Sequence, residues 1–254
     1  TAFGSPLLID SGYYPWYGSP HDMAWTRQTQ AHNAVLINGK GQGVWNRAAA
    51  GRIVAFTHGA DFDYTAGDAT AAYREPSLTT DTTSHHLRKD IHAPMELCAY
   101  YEGVRRVVRH VVFLRPDAFV ILDDVETEAP ASVQLMWHAY DAFDIDGSAH
   151  RADVVNGDSL ARLHFLTPGT CRMSQTDRFP VAPEHDLPNQ WHLTADWSAA
   201  TTRRQLLTVI QVCRVAAESA LPEVSRLDED GIVGVRVGVT TVRFDPEAGA
   251  RVSA

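Results

Sequence analysis

The chain has 254 residues, 44% of them hydrophobic, enough for a substantial core, and β-sandwiches of roughly 200–250 residues fold as single units. Its net charge of −9 and pI near 5.7 argue against a nucleic-acid or anionic-membrane surface, and a polyanionic ligand would need a local basic patch against that balance. No run of about 18 apolar residues is present to span a membrane, and no charged, then apolar, leader opens the chain.

The first informative stretch is Leu7-Leu8-Ile9-Asp10-Ser11-Gly12-Tyr13-Tyr14. An apolar run of strand character ends on a carboxylate and then a Gly turn, which sets Asp10 at a strand mouth. Gly12 to Ala31 is aromatic and rich in Pro and Gly, with Tyr13, Tyr14, Trp16, Tyr17 and Trp25 close together. Aromatic faces bind sugar rings and equally pack loops onto sandwiches. Tyr17 and Trp25 are the candidate sugar contacts, and His21 and Arg27 are the local groups suited to a carboxylate or sulfate. His32-Asn33 then opens a second apolar strand, Ala34 to Ile37, which Asn38-Gly39 closes with a strong turn signal. A hard oxygen at Asp10 and an imidazole at His32 suit zinc, but a closed zinc site takes about four ligands.

Arg52 to Phe56 and Phe62 to Ala66 read as a hairpin turned at His58-Gly59-Ala60-Asp61. Asp61, Asp63 and Asp68 lack the spacing of a calcium loop and read as solvated turn acids. Glu75 to Pro94, with His85, His86 and His92, reads as a polar loop. Val107 to Leu114, the turn Arg115-Pro116-Asp117-Ala118 and Phe119 to Leu122 form the strongest hairpin signal, and such continuous apolar runs belong in a sheet covered on both faces. His110 within it reads as a strand histidine rather than a ligand. Further strands are expected over 133–138, 161–166, 205–212 and 234–244, and a long surface loop over Thr176 to Asn189. Cys98, Cys171 and Cys213 form no metal or redox spacing and read as buried free thiols. Many turn-separated strands with almost no helical period give an all-β class: a large antiparallel β-sandwich of two packed sheets with few helices.

Thr1 to Tyr14, Trp16-Tyr17-Gly18-Ser19-Pro20-His21, Trp25 to Asn33, Gly39-Lys40-Gly41-Gln42-Gly43, Gly67 to Tyr73 and Phe113 to Asp124 together resemble the heparinase II/III-like polysaccharide lyases, closely over the first half and by pattern over the rest. In that family a helical toroid precedes a large β-sandwich. The resemblance implies that residues 1–254 are the sandwich alone, one domain truncated at its N-terminus. It matches Asp10 and His32 to two of three zinc ligands, a partial site whose third ligand is expected upstream of Thr1 in a His-x-His-x-Asp stretch.

The implied parent enzyme cleaves a uronic-acid-containing polysaccharide, alginate-like or glycosaminoglycan-like, by β-elimination. That reaction needs a neutralised carboxylate, a base for the C5 proton and an acid for the departing C4 oxygen. Tyr14 and His21 are the catalytic candidates on the sandwich side, Tyr17, Trp25 and Arg27 the substrate-binding ones. The partners expected are an acidic polysaccharide and the parent's helical toroid, with no nucleic acid and no membrane. The implied location is periplasmic or secreted. The isolated chain is expected to lack lyase activity. A non-catalytic carbohydrate-binding sandwich and a purely structural domain are the other readings, separated from the first by release of unsaturated products.

Overall fold

Two strands, β5 (Ala118–Ala139) and β10 (Trp191–Arg214), run through the whole architecture. They are 22 and 24 residues long, far beyond the usual 5–6, and pair antiparallel along most of their length, with bulges between Trp197 and Arg203. A bulge bends and twists a ladder, so the pair passes from one layer into another. In the computed structural model, which describes residues 1–44, 46, 48–75, 101–229, 231–245 and 249–253, the first half of β5 joins β4 (Val104–Leu114), β3 (Phe62–Asp68) and β2 (Arg52–His58). The second half of β10 joins β8 (Ser159–Phe165), β7 (Arg151–Asn156) and β6 (Asp144–Asp146). The other ends of the pair take β1 (Val35–Ile37) on β5 and β9 (Arg172–Thr176) on β10, which completes a ten-stranded sheet. A four-stranded sheet follows: β11 (Val224–Glu229), β12 (Ile232–Val237), β13 (Thr240–Asp245) and β14 (Gly249–Ser253).

Period-2 alternation assigns the core. Along β4, β5 and β10, Val107, Ile121, Val125, Leu206 and Ile210 face inward against Val35, Ile37, Leu135, Trp137, Leu193 and Trp197 of the folded-over ends. Their neighbours Val108, Val112, Val120, Leu122, Leu207 and Val209 face the other way, against Val233, Val235, Val242 and Phe244 of the four-stranded sheet. The central strands are thus covered on both faces, as their unbroken apolar sequence requires. The fold is all-β and antiparallel, with one five-residue α-helix, α1 (Thr70–Arg74), among the described residues.

Several boundaries differ from the sequence reading. The strands read at 119–122 and 133–138 are one continuous strand, and so is the run that contains 205–212. The segment read at 234–244 divides at Gly238, whose φ of +59° makes the β12–β13 turn. Leu7–Ile9, read as strand-like, bends at Leu8 and forms no named strand, though its ends are buried; it is tied down by the Ile9 amide donating to the His138 carbonyl at 2.9 Å. The Asn38-Gly39 turn is present, with both residues at positive φ and reciprocal bonds between Ile37 and Lys40. Cys171 and Cys213 are buried free thiols, and burial pushes Cys171 up to about 12. Cys98, His85, His86 and His92 lie outside the described residues.

Candidate functional site

Residues 12–44 wrap one end of the folded-over sheet and line an open cavity of about 650 Å³. Tyr14, Tyr17, Arg27 and His32 of the sequence-predicted set line it, together with Asp22 and Gln42. Asp10 stands immediately behind. The His32 imidazole Nδ1 lies 2.7 Å from Asp10 Oδ2, so the carboxylate accepts a hydrogen bond from Nδ1–H and leaves Nε2 with its lone pair. Burial alone would raise the Asp10 carboxyl, but the His32 bond and the Gly12 amide outweigh it and hold it below the ordinary carboxylate value.

The dyad is fixed from beneath by Asn33. Its side-chain amide donates to the Ile9 carbonyl at 2.9 Å, its Oδ1 accepts from the His138 backbone amide at 2.9 Å, and its own carbonyl accepts from Arg109 at 2.5 Å. Arg109 is itself clamped by Asp123 through two bonds of 2.6 and 3.0 Å, and Tyr73 donates to the Val35 carbonyl at 2.6 Å. One side chain thereby locks the segment that carries Asp10 to the one that carries His32. Sequence reading missed Asn33, although its place beside His32 at the start of β1 was visible.

Below lies a buried imidazole pair. His138 Nδ1 is 2.9 Å from His192 Nδ1, and His138 Nε2 is 3.3 Å from the His32 carbonyl. A carbonyl only accepts, so Nε2 of His138 holds its proton and Nδ1 accepts from His192. Burial drives both below the usual imidazole range, to about 3 and about 4.

His21 and Trp25 do not face the cavity. His21 is 1% and Trp25 4% exposed, because residues 177–190, nearly the Thr176 to Asn189 stretch read from sequence as a long surface loop, lie across them. Phe179 meets the rings of His21, Trp25 and His192 at 5.0–5.5 Å. Val181 accepts from His21 Nδ1 at 2.7 Å. Glu184 accepts from the Tyr14 hydroxyl at 2.6 Å, the Ser19 hydroxyl at 2.9 Å and the His21 amide at 3.2 Å. The catalytic assignment of His21 and the sugar-contact assignment of Trp25 are therefore corrected: both hold the wall in place. Tyr14 lines the cavity with its ring, but its hydroxyl is committed to Glu184, and burial with that bond raises it further from proton-accepting range. Tyr17 is exposed, with the Arg27 guanidinium 4.2 Å from its ring centroid. Arg27 is in turn paired with Asp22 at 2.8 Å. Exposed Tyr13 and Trp16 extend the aromatic surface.

The donor set does not by itself make a zinc centre. Two donors ~2.1 Å from one tetrahedral zinc stand roughly 3.4 Å apart, whereas Asp10 and His32 are closed to hydrogen-bond distance. No group of three or more His, Cys, Asp or Glu side chains gathers to hold a metal among the described residues.

The heparinase II/III-like, C-terminal family model matches residues 1–220. The chain belongs to that family. The four-stranded sheet, from Val224 onward, lies past the matched range. Among solved structures, this heparinase II/III-like chain is similar to a heparinase III gene product, at TM-score 0.67 and 16% identity over 97% of this chain and 34% of that one. It is also similar to a heparan sulfate lyase from Pedobacter heparinus, at TM-score 0.66 and 11% identity over 98% and 34%. A crystal structure of heparinase III gives TM-score 0.64 and 15% identity over 98% and 34%. These identities carry the fold alone, and the chain spans about a third of each of those proteins. No curated protein matches.

Proposed function

We propose that residues 1–254 form one domain, the β-sandwich part of a periplasmic or secreted lyase that cleaves a uronic-acid-containing polysaccharide, alginate-like or glycosaminoglycan-like, by β-elimination. The observation that carries this reading is the cavity of about 650 Å³, in which an Asp-oriented imidazole, an aromatic ring and a guanidinium converge within a heparinase II/III-like C-terminal domain. Tyr17 stacks on a sugar ring, and Arg27 meets a carboxylate or sulfate. Asp10 holds His32 with Nε2 toward the cavity, where it is suited to accept or return a proton. Asn33 and Glu184 keep those groups in register. The parent's helical toroid supplies the groups that complete catalysis, so this chain alone turns nothing over.

Zinc enters this reading as an addition made by the parent chain. Asp10 and His32 would contribute two donors once separated, and further donors would come from the rest of that chain; a zinc there would tether the cavity floor. The test is absorbance of unsaturated uronate on incubation with alginate, heparin or heparan sulfate, for this chain and for a chain that includes the toroid. Product from the longer chain only is expected. Product from neither, with oligosaccharide still bound, would favour the non-catalytic carbohydrate-binding reading, which the exposed Tyr13, Trp16 and Tyr17 make specific.

A further inference from the structure

A second cavity, of about 750 Å³, lies on the far side of α1. Four guanidiniums, Arg52, Arg74, Arg105 and Arg106, line it against two carboxylates, Asp68 and Glu126, in a chain with 31 acidic and 22 basic side chains. With Arg203, five guanidiniums stand against Asp68, Asp124, Glu126 and Glu128, an excess of one positive charge. Arg74 spends its Nε on the Val104 carbonyl and its Nη2 on the Arg105 carbonyl, both at 2.6 Å. Neutral carbonyls fix its position without cancelling its charge. Asp124 is a buried carboxylate shared by Arg106 at 2.8 Å and Arg203 at 3.2 Å. Arg105 reaches Glu128 only at 4.0 Å, and Arg52, 76% exposed, reaches Asp68 at 3.2 Å.

The two cavities are neighbours. Ala71 lines this one, and the next residue, Ala72, accepts at 2.9 Å from the amide of Gly43, which lines the first. The two linings thus approach each other across α1 through the Gly43–Ala72 bond. Guanidinium forks bind the planar or tetrahedral oxyanions of carboxylate and sulfate bidentately, and a preset Arg74 loses little entropy on binding.

We propose that Arg52, Arg74, Arg105 and Arg106 form an outer subsite for the carboxylate or sulfate groups of a polyanionic glycan whose other end occupies the first cavity. This rests on the polysaccharide reading above. It accounts for how a chain of net charge −9 holds a polyanion: the positive field is local.

The test measures binding of size-defined heparin tetrasaccharide and dodecasaccharide, with inorganic sulfate and a single-stranded DNA of matched charge as comparison probes. The double variant Arg52→Gln/Arg105→Gln leaves the Arg74 anchor and the buried Asp124 pairs untouched; circular dichroism checks its fold. Arg27→Gln probes the first cavity separately. The expected result is about tenfold weaker dodecasaccharide binding by the double variant, with a salt slope lower by about one to two, unchanged tetrasaccharide binding, and no comparable loss with DNA. Wild-type-like dodecasaccharide binding by the double variant would overturn the outer subsite and leave the polysaccharide reading standing. An equal loss with DNA would show only a general polyanion surface and also overturn it. Loss in the double variant with no effect of Arg27→Gln would also overturn the outer-subsite proposal, because the glycan's other end would then not lie in the first cavity.

Discussion

Asn33→Ala isolates what holds the Asp10–His32 dyad together. The wild-type amide bridges the Ile9 carbonyl and the His138 amide at 2.9 Å each, and both groups belong to residues buried to 8% exposure or less. Truncation orphans one acceptor and one donor. A buried polar group left unpaired costs ~1–3 kcal/mol; the two together come to about 2–4 kcal/mol, since the site is partly reachable by water. The loss should appear in urea denaturation as a lower midpoint at constant slope. Site geometry should suffer as well: with Ile9 released, Asp10 is free to drift, and the Nδ1 proton of His32 should lose its hydrogen-bonded nitrogen-15 signature in NMR. A conservative Asn33→Asp keeps the acceptor for His138 but opposes an oxygen to the Ile9 carbonyl, so it should rescue less than half. If Asn33→Ala cost under ~0.5 kcal/mol and left the His32 spectrum unchanged, the staple would be a crossing of strands and nothing more.

Glu184 is held below its ordinary carboxylate value, because the Tyr14, His21 and Ser19 bonds outweigh its desolvation; its contribution is present at neutral pH and is lost as pH falls through that lowered value. Protection factors over 177–190, taken relative to the intrinsic exchange rate at each pH, should therefore fall on acidification, and Glu184→Gln should lower them at pH 7; unchanged protection factors would refute the docking role. His192 is depressed to about 4 from ~6.5 unfolded, so the unfolded chain takes its proton first and stability falls as pH drops from ~6.5 toward 4, by up to ~1.4 kcal/mol per pH unit. His192→Gln should flatten that slope in urea titrations at stepped pH. A Cβ at Gly41 would stand 2.2 Å from Thr29 Oγ1, whose hydroxyl oxygen accepts from the Gln42 amide at 2.7 Å. Gly41→Ala should thus lower the melting temperature, and Thr29→Ala should relieve part of the clash. Zinc titration by calorimetry should show weak, pH-dependent binding that His32→Ala abolishes, with a melting curve insensitive to chelator; collapse on chelation would make the metal structural.

The layout of the sheets was legible because it rests on period and on turn chemistry. Val107 to Leu114 and Phe119 to Leu122 announce a doubly covered hairpin in their largely apolar sequence, turned at Arg115-Pro116-Asp117, and Asn38-Gly39 marks the turn after β1. What the sequence withheld is continuity. Nothing local shows that β5 runs through Glu126 to Ala131 without stopping, because those residues look like a loop and the β10 ladder itself bulges opposite them, pairing only Glu126 and Ala131. The division at Gly238-Val239 failed for the opposite reason, since apolar residues continue across it and only the positive φ of Gly238 makes the turn.

The candidate site divides along the same line. Asp10, His32, Tyr17 and Arg27 were readable, because each is a chemically marked side chain in a segment with a clear end. His21 and Trp25 looked equally marked, yet both are covered by a loop some 160 residues further on, and no window around either residue carries that information. Glu184 and His192 had no local signal at all: one sits in a proline-rich loop and the other in an apolar strand. The same separation explains why the protein places its reactive dyad where it does. Asp10 and His32 lie on short segments, and the bonds that fix them run through Asn33, which precedes β1, to the Ile9 carbonyl, to the His138 amide of β5 and to Arg109 of β4. A wall with aromatic and cationic groups is thus mounted, through Asn33 and Arg109, on the central strands of the sandwich.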